Sequence, residues 1–367
     1  MSTTAPRGPL HGVRILEFVS IGPGPYCAML LSDLGAEVVR LDRAGGNGWP
    51  NPILDRGRAV LEVDIRSEDG RALCLDAVEK ADVIIEGFRP GVMERLGLGP
   101  DVLLARNPQL IYGRMTGWGQ TGPLSKAAGH DINYIALAGA LDAIGLKDHP
   151  AIPPLNLVGD FGGGALFLAL GIVAALWERE RSGLGQVVDA AIVDGVASMM
   201  AMFQGLAPAP GTSLARGENL LGGAAPFYRC YTCADGRDIA IGPLEPHFYK
   251  ILLERVGAPA EMLDAQGDNT QWPEQATSLA AIFATKTRTE WCELLEGSDA
   301  CFAPVLSLDE ATRHPHMLAR KTFIERDGLP HPAPAPRFSR TPAEIGKAAD
   351  GRQILKSWGA VMVPHDQ

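Results

Sequence analysis

Short apolar runs alternate with amphipathic stretches through the first third of the chain. VRILEFVS (13–20) reads as a strand, PYCAMLLSDLGA (25–36) as a helix and EVVRLDR (37–43) as a second strand. VLEVDI (60–65) is strand again, a helix follows to about Ala81, and DVIIEGF (82–88) and LIYGRMTG (110–117) add two more strands. This alternation predicts an α/β fold with a parallel sheet and crossover helices. The first strand–helix turn reads IGPGP rather than GxGxxG, so the dinucleotide fingerprint is missing, as are a P-loop and an HExxH helix.

From Ala127 the pattern turns helical. Residues 161–182 are apolar on every side, which predicts a deeply buried helix. The charge-free run Phe161–Trp177 is shorter than the ~20 residues of a membrane span. It is also rich in glycine and flanked by Asp160 and ERER, so no membrane partner is expected. QVVDAAI (186–192) reads as a strand and Asp194 to about Phe203 as a helix. Residues 205–221 are rich in Pro and Gly and read as a linker. Beyond it, 222–309 forms a plausible smaller α+β domain, with a hairpin turning at Ala234-Asp235-Gly236 and helices near 246–256, 272–284 and 288–296. The segment 310–333 reads as a second linker. LPHPAPAPRFSRTPAE (329–344) is stiff and donor-poor, more a strap over a surface than a core element.

A chain of 367 residues fits one large and one small domain. Its net charge of −10 argues against nucleic acid or an acidic membrane surface as partner. MSTTAPRGPL holds no apolar signal core and the final PHDQ matches no sorting tail, so a cytoplasmic protein is expected. Six cysteines are scattered too widely for a disulfide scaffold. Cys230 and Cys233 form one CxxC, but a strand running into a turn sends them to opposite faces, so no metal site is expected.

Candidate chemistry lies in polar residues set among glycines. In GHDINY (129–134), His130 is either a residue at a helix start, with Asp131 favouring the helix dipole, or an acid/base group brought close to a ligand by the preceding glycines. In NLVGDFGGG (156–164), Asp160 is either an N-cap or a carboxylate beside a helix start. There Gly162, Gly163 and Gly164 would bare N–H groups to a developing anion. Glu245 stands at a strand end before a Pro-started helix. Arg40, Arg43, Arg56, Arg58, Arg89 and Arg95 follow strand ends, where parallel sheets bind ligands and guanidinium forks suit phosphates.

Long patches of the chain carry a family resemblance. They are PLHGVRILEFVSIGPGPYCAMLLSDLGAEVVRLDR (9–43), ADVIIEGFRPGVMERLGLGP (81–100), IYGRMTGWGQTGPLSKAAGHDINYIALAGAL (111–141), 153–195 and PAPRFSRTP (334–342). With them the sequence resembles the 2-methylacyl-CoA (alpha-methylacyl-CoA) racemase branch of the family III CoA-transferase (CaiB/BaiF) superfamily. The resemblance implies a Rossmann-like large domain (1–204), a small α+β domain (222–309), and a C-terminal segment (334–367) that completes the large domain. It implies an interlocked homodimer, with a site where one chain's large domain meets the partner's small domain. It also implies an acyl-CoA substrate and no bound cofactor. Positions matching His130 and Asp160 are the family's acid/base pair. Glu245 matches the glutamate that pairs with the histidine, and Asn156 the asparagine that supports the aspartate. Ile21, Arg43, Gly87, Arg89, Arg95, Gly129 and Tyr134 fall at or near the CoA site. The 44–58 loop matches loosely, which leaves Arg56 and Arg58 without an assigned contact.

The residue types suit the implied reaction. Racemisation removes the proton α to a thioester and returns one on the opposite face, so two acid/base groups must flank the carbon. An imidazole titrates near neutrality and can serve in either form. Asp160 can act as an acid only if desolvation outweighs the helix N-terminus that favours its charge. N–H groups after Asp160 would stabilise the enolate oxygen, and Glu245 would hold the imidazole tautomer. Two other readings remain: a CoA-transferase in which Asp160 is the nucleophile, and a non-catalytic CoA-binding scaffold.

Overall fold

Six strands lie parallel: β1 (Arg14–Phe18), β2 (Glu37–Asp42), β3 (Ala59–Glu62), β4 (Val83–Glu86), β5 (Ile111–Thr116) and β6 (Gln186–Ala191), in the order β3-β2-β1-β4-β5-β6. Ile15 is paired with Val38 on one side and Val83 on the other. The central strands β1, β4 and β5 are mostly apolar because both faces of the sheet are covered there; Ile15, Leu16, Val39, Ile84 and Ile111 are fully buried, while the edge strands β3 and β6 carry exposed positions. This computed structural model describes residues 8–209, 212–347 and 349–361. The first seven residues, the PHDQ tail and positions 210–211 of the Pro/Gly stretch lie outside them.

The connecting helices are α1 (Pro23–Asp33), α2 (Glu68–Val78), α3 (Val92–Arg95), α4 (Pro100–Arg106) and α5 (Asp131–Leu137), then α6 (Phe167–Ser182) and α7 (Ile192–Met199) around β6. Leu73, Cys74, Ala77 and Val78 of α2 join Leu16, Val39 and Ile84 in one core. A C-terminal helix, Gly351–Trp358, adds Leu355 and Trp358 to that core. The Asp350 carboxylate caps this helix, accepting from the Arg352 and Gln353 N–H groups at 2.8 and 3.1 Å.

The chain divides into two compact units. The described residues of 1–138, 154–199 and 321–367 form the first, and those of 139–153 and 200–320 the second. In the second, β7 (Arg229–Thr232), β8 (Asp238–Ile241) and β9 (Phe302–Pro304) make an antiparallel sheet. The β7–β8 turn closes where Cys233 N–H donates to Arg237 O at 2.8 Å. Cys230 is exposed and Cys233 buried, the opposed orientation that the CxxC spacing on a strand dictates. Helices Pro246–Val256, Trp272–Phe283 and Arg288–Leu295 cover the sheet around Tyr249, Phe283 and Trp291. The Pro/Gly stretch is tied down at its C-terminal end, where Asn219 Nδ2 donates to Ala143 O at 3.1 Å.

Two expectations need correction. The start of the strap is a hairpin strand, since Leu329–Pro332 pairs antiparallel with Phe323–Arg326. Pro is tolerated there because the strand pairs on one side only. The long apolar helix is not buried all round. Leu168, Ile172, Ala175 and Leu176 face the core, while Leu166, Leu170 (65 % exposed), Val173 and Trp177 (68 %) form an outward apolar stripe.

Candidate active site

The strand-end arginines separate into two groups. Arg58 is fully buried, its Nη1 2.5 Å from the Glu17 carboxylate, and its Nη2 donates to Leu54 O and Asp55 Oδ1. Arg56 donates to both oxygens of the buried Asp33, at 3.2 and 2.5 Å, and through Nη1 to Pro332 O. Arg40 bridges Asp42 and Asp55 at 3.0 and 2.6 Å. These three therefore neutralise carboxylates, which removes Arg40 from the strand-end ligand pattern and gives Arg56 and Arg58, left without an assigned contact by the resemblance, their partners. Burying those carboxylates without a partner would be far costlier than pairing them. Arg43 and Arg95 are exposed on the surface, with Arg43 Nε donating to Gly46 O.

The strand order reverses between β1 and β4, and the crevice outside strand ends at such a point is where α/β sheets bind ligands. A cavity of about 860 Å³ opens there. The turn after β1 supplies Ser20, Ile21 and Gly22, the turn after β4 supplies Gly87, Phe88 and Arg89, and β5 leads into Met115–Trp118. Gly129, His130, Tyr134, Asn156 and Asp160 complete the wall relevant here. Eight of the sequence-derived positions thus share one cavity: Ile21, Gly87, Arg89, Gly129, His130, Tyr134, Asn156 and Asp160. Arg43, Arg95 and Gly162 are not among its lining residues.

His130 is the N-cap of α5, and its own N–H donates to Asn133 Oδ1 at 3.0 Å, which sets the backbone from which the imidazole projects. The glycines before it make room for Tyr134: a Cβ on Gly117 would lie 2.0 Å from that ring, and one on Gly129 2.8 Å. Trp118 packs edge-on against the same ring at 4.7 Å. The Tyr134 hydroxyl donates to Gly129 O.

Asp160 is not an N-cap. Residues Leu157–Leu166 are wound as a π-helix whose cap is Asn156, with Phe161 N–H donating to Asn156 O at 3.2 Å. Such wider turns recur at functional positions. The N–H groups after Asp160 therefore lie within the helical hydrogen-bond pattern rather than open to an anion. The three glycines serve packing instead: a Cβ on Gly195 would sit 1.9 Å from Gly163 O, and one on Gly163 2.6 Å from Val196. Gly162 faces Met199.

The Asp160 carboxyl is held above the ordinary aspartate range, chiefly because it is buried and also because Asp131 lies near. Asn156, whose Nδ2 is 3.4 Å from Asp160 Oδ2, and His130 act in the opposite direction. Burial thus wins over the terms that favour charge. Burial likewise raises the Tyr134 phenol, with Asp160 adding to it and Arg89 opposing. Behind the Gly87–Arg89 turn, the fully buried Glu86 accepts from Phe88 N–H at 2.7 Å and Arg114 Nε at 2.9 Å. Arg114 also reaches Glu94 at 2.9 Å.

The sequence profile of CoA-transferase family III matches residues 10–349. The chain belongs to that family. It is 48 % identical over 335 residues to the alpha-methylacyl-CoA racemase of Mus musculus, covering 91 % of this chain and 87 % of the relative. It is 42 % identical over 360 residues to the alpha-methylacyl-CoA racemase of Homo sapiens, covering 95 % and 93 % of the two chains. Among solved structures, a CaiB/BaiF family protein from Brucella suis superposes with a TM-score of 0.81 at 27 % identity, covering 96 % of this chain and all of that one.

In this family III chain, Glu245 lies in the second unit, exposed, as the N-cap of the Pro246–Val256 helix. Among the described residues no cluster of His, Cys, Asp and Glu fits a metal ion. Sequence reasoning missed several wall residues. Asn47 and Trp49 come from the loosely matched 44–58 loop, and Asn47 Nδ2 donates to Ser20 O at 3.2 Å. Ser20 Oγ and Trp118 Nε1 are buried polar atoms without a hydrogen-bond partner among the described residues. Asp131 stands in the first turn of α5, as the helix-dipole reading expects, and has a further contact that sequence reasoning missed: it is buried, and its Oδ1 accepts from Asp160 N–H at 2.6 Å.

Proposed function

We propose that this chain is a racemase that interconverts (2R)- and (2S)-2-methylacyl-CoA thioesters through an enolate. The observation that carries this reading is His130 and Asp160 opening onto one cavity at the sheet's switch point, with burial favouring the protonated carboxyl. The named activity of the mouse and human relatives points the same way. The base on one face removes the α-proton, and the C–H electron pair moves into the thioester to give the enolate. The acid on the other face then protonates the α-carbon, so the reaction is redox-neutral and the proton count is conserved. On the family resemblance, His130 takes the 2S proton, Asp160 the 2R proton, and Glu245 steadies the imidazole. Arg89 is assigned to a CoA phosphate, and the Ser20 hydroxyl and Trp118 N–H, without a hydrogen-bond partner among the described residues, are polar contacts available to the thioester ligand.

The active form is proposed to be a homodimer in the cytoplasm. Leu166, Leu170, Val173 and Trp177 form an apolar stripe of the kind that subunit contacts cover. The free cysteines suit a reducing compartment.

The deciding experiment follows α-deuterium exchange and racemisation with each enantiomer. His130→Ala should abolish racemisation and lose exchange mainly with the S ester, and Asp160→Asn mainly with the R ester. A hydroxylamine-trapped acyl adduct on Asp160, with full turnover in His130→Ala, would sink the racemase reading in favour of a CoA-transferase.

A further inference from the structure

Asp131 sits directly after His130 and is buried among α5 and the π-wound turn. Its Oδ1 accepts from Asp160 N–H at 2.6 Å, and the Gly159 N–H also favours the carboxylate's charge. Its Oδ2 is buried and has no hydrogen-bond partner among the described residues. Gly159 fits the arrangement, because a Cβ there would lie 2.2 Å from Asp131 Oδ1. Among the described residues no Lys or Arg pairs with this carboxylate, and its charge is favoured by the backbone N–H groups of Asp160 and Gly159 and by the α5 N-terminus. A half-satisfied buried carboxylate is costly, and one kept beside a reactive group calls for a functional reason.

We propose that Asp131 is a positioning residue for the α-proton transfer. Its carboxyl clamps the turn that presents Asp160 and, when ionised, acts as a neighbouring negative charge that governs when Asp160 gives up its proton. This rests on the racemase reading for its chemistry, but the clamp itself is a matter of geometry.

The groups facing Asp160 are few. His130, Asp131 and Tyr134 approach from α5 and its cap, and Asn156 from the start of the turn. Arg89 acts on Tyr134 from the turn after β4. α1 brings Tyr26 against Phe161 at 4.3 Å. α7 carries Asp194, which acts on Asp189 of β6. Of these, Asp131 and His130 are the titratable groups that act electrostatically on Asp160, in opposite directions.

The test uses full-length protein with ¹³C-carboxyl aspartate, the Asp160 signal being assigned by its loss in Asp160→Asn. Asp131→Asn keeps an oxygen that can accept from Asp160 N–H but removes the charge. It should titrate Asp160 at lower pH than the wild type and move the acid limb of R-ester exchange the same way. Gly159→Ala puts a Cβ 2.2 Å from Asp131 Oδ1 and so pushes the carboxylate off Asp160 N–H. It should cut kcat by roughly 100-fold, as misplacement of a reacting group does, with KM changed by no more than about 2-fold. An unmoved Asp160 titration in an Asp131→Asn protein that melts cooperatively overturns the proposal. A wild-type protein that exchanges no α-proton, while Asp160 still titrates lower in Asp131→Asn, removes the racemase reading and leaves the clamp standing.

Discussion

Replacing Arg58 with alanine distinguishes a structural arginine from a phosphate ligand. Its side chain and that of Glu17 are both wholly inaccessible, and the pair is closed by contacts to Leu54 O and Asp55. Removing one partner of such a pair leaves an uncompensated buried charge, at a cost of about 3–5 kcal/mol. At about 2–4 °C per kcal/mol for units of this size, the melting temperature should fall by roughly 6–20 °C. The pH dependence gives a second handle. Burial already lifts the Glu17 carboxyl above its ordinary value, against the pull of Arg58. A carboxyl raised in the folded state binds more protons there than in the unfolded chain, so its contribution is lost as pH rises through the window above the unfolded value. Without Arg58 that window extends upward, and Arg58→Ala should be destabilised less at pH 5 than at pH 8. Adding Glu17→Gln removes the buried charge and should restore part of the melting temperature while flattening the pH dependence. Differential scanning calorimetry of the single and double variants checks this. An Arg58→Ala protein that melts like the wild type but binds acyl-CoA weakly would refute the reasoning and return Arg58 to the ligand site.

Other expectations follow from the same structure. Arg89→Ala should raise KM for acyl-CoA by roughly 10- to 100-fold with kcat little changed, because a charge-assisted phosphate contact is made equally before and during the chemistry; steady-state kinetics decide it. Burial raises the Glu86 carboxyl to about 7, so the wild type should lose about 3 kcal/mol of stability as pH rises from about 4.5 through 7. Glu86→Gln should abolish that slope in pH-dependent denaturation, and parallel slopes would contradict it. Leu170→Asp places a charge in the exposed stripe of α6 and should shift sedimentation from dimer toward monomer, whereas an unchanged dimer would place the contact elsewhere.

The parallel sheet was legible because strands covered on both faces are mostly apolar, as β1, β4 and β5 are apart from Arg14, Glu17, Glu86, Arg114 and Thr116. Several failures of local reading share one cause. Gly162–Gly164 look like bared helix N–H groups, yet what decides them is the approach of α7 from thirty residues downstream. The Arg58–Glu17 and Arg56–Asp33 pairs join positions 41 and 23 residues apart, so strand-end arginines look alike until their partners are placed. The Gly351–Trp358 helix is short, and its core role depends on β2 and β3 lying beneath it. What the sequence by itself determined is the alternation of strands and helices, the two-unit scale of the chain, and the presence of His130 and Asp160 in glycine-rich settings; periodicity and residue chemistry are local properties. What only the tertiary structure decided is which carboxylates are desolvated, which arginines are spent on them, and that Asp131 holds Asp160. Burial and charge pairing depend on groups brought together across the fold, and no local window of the chain contains them.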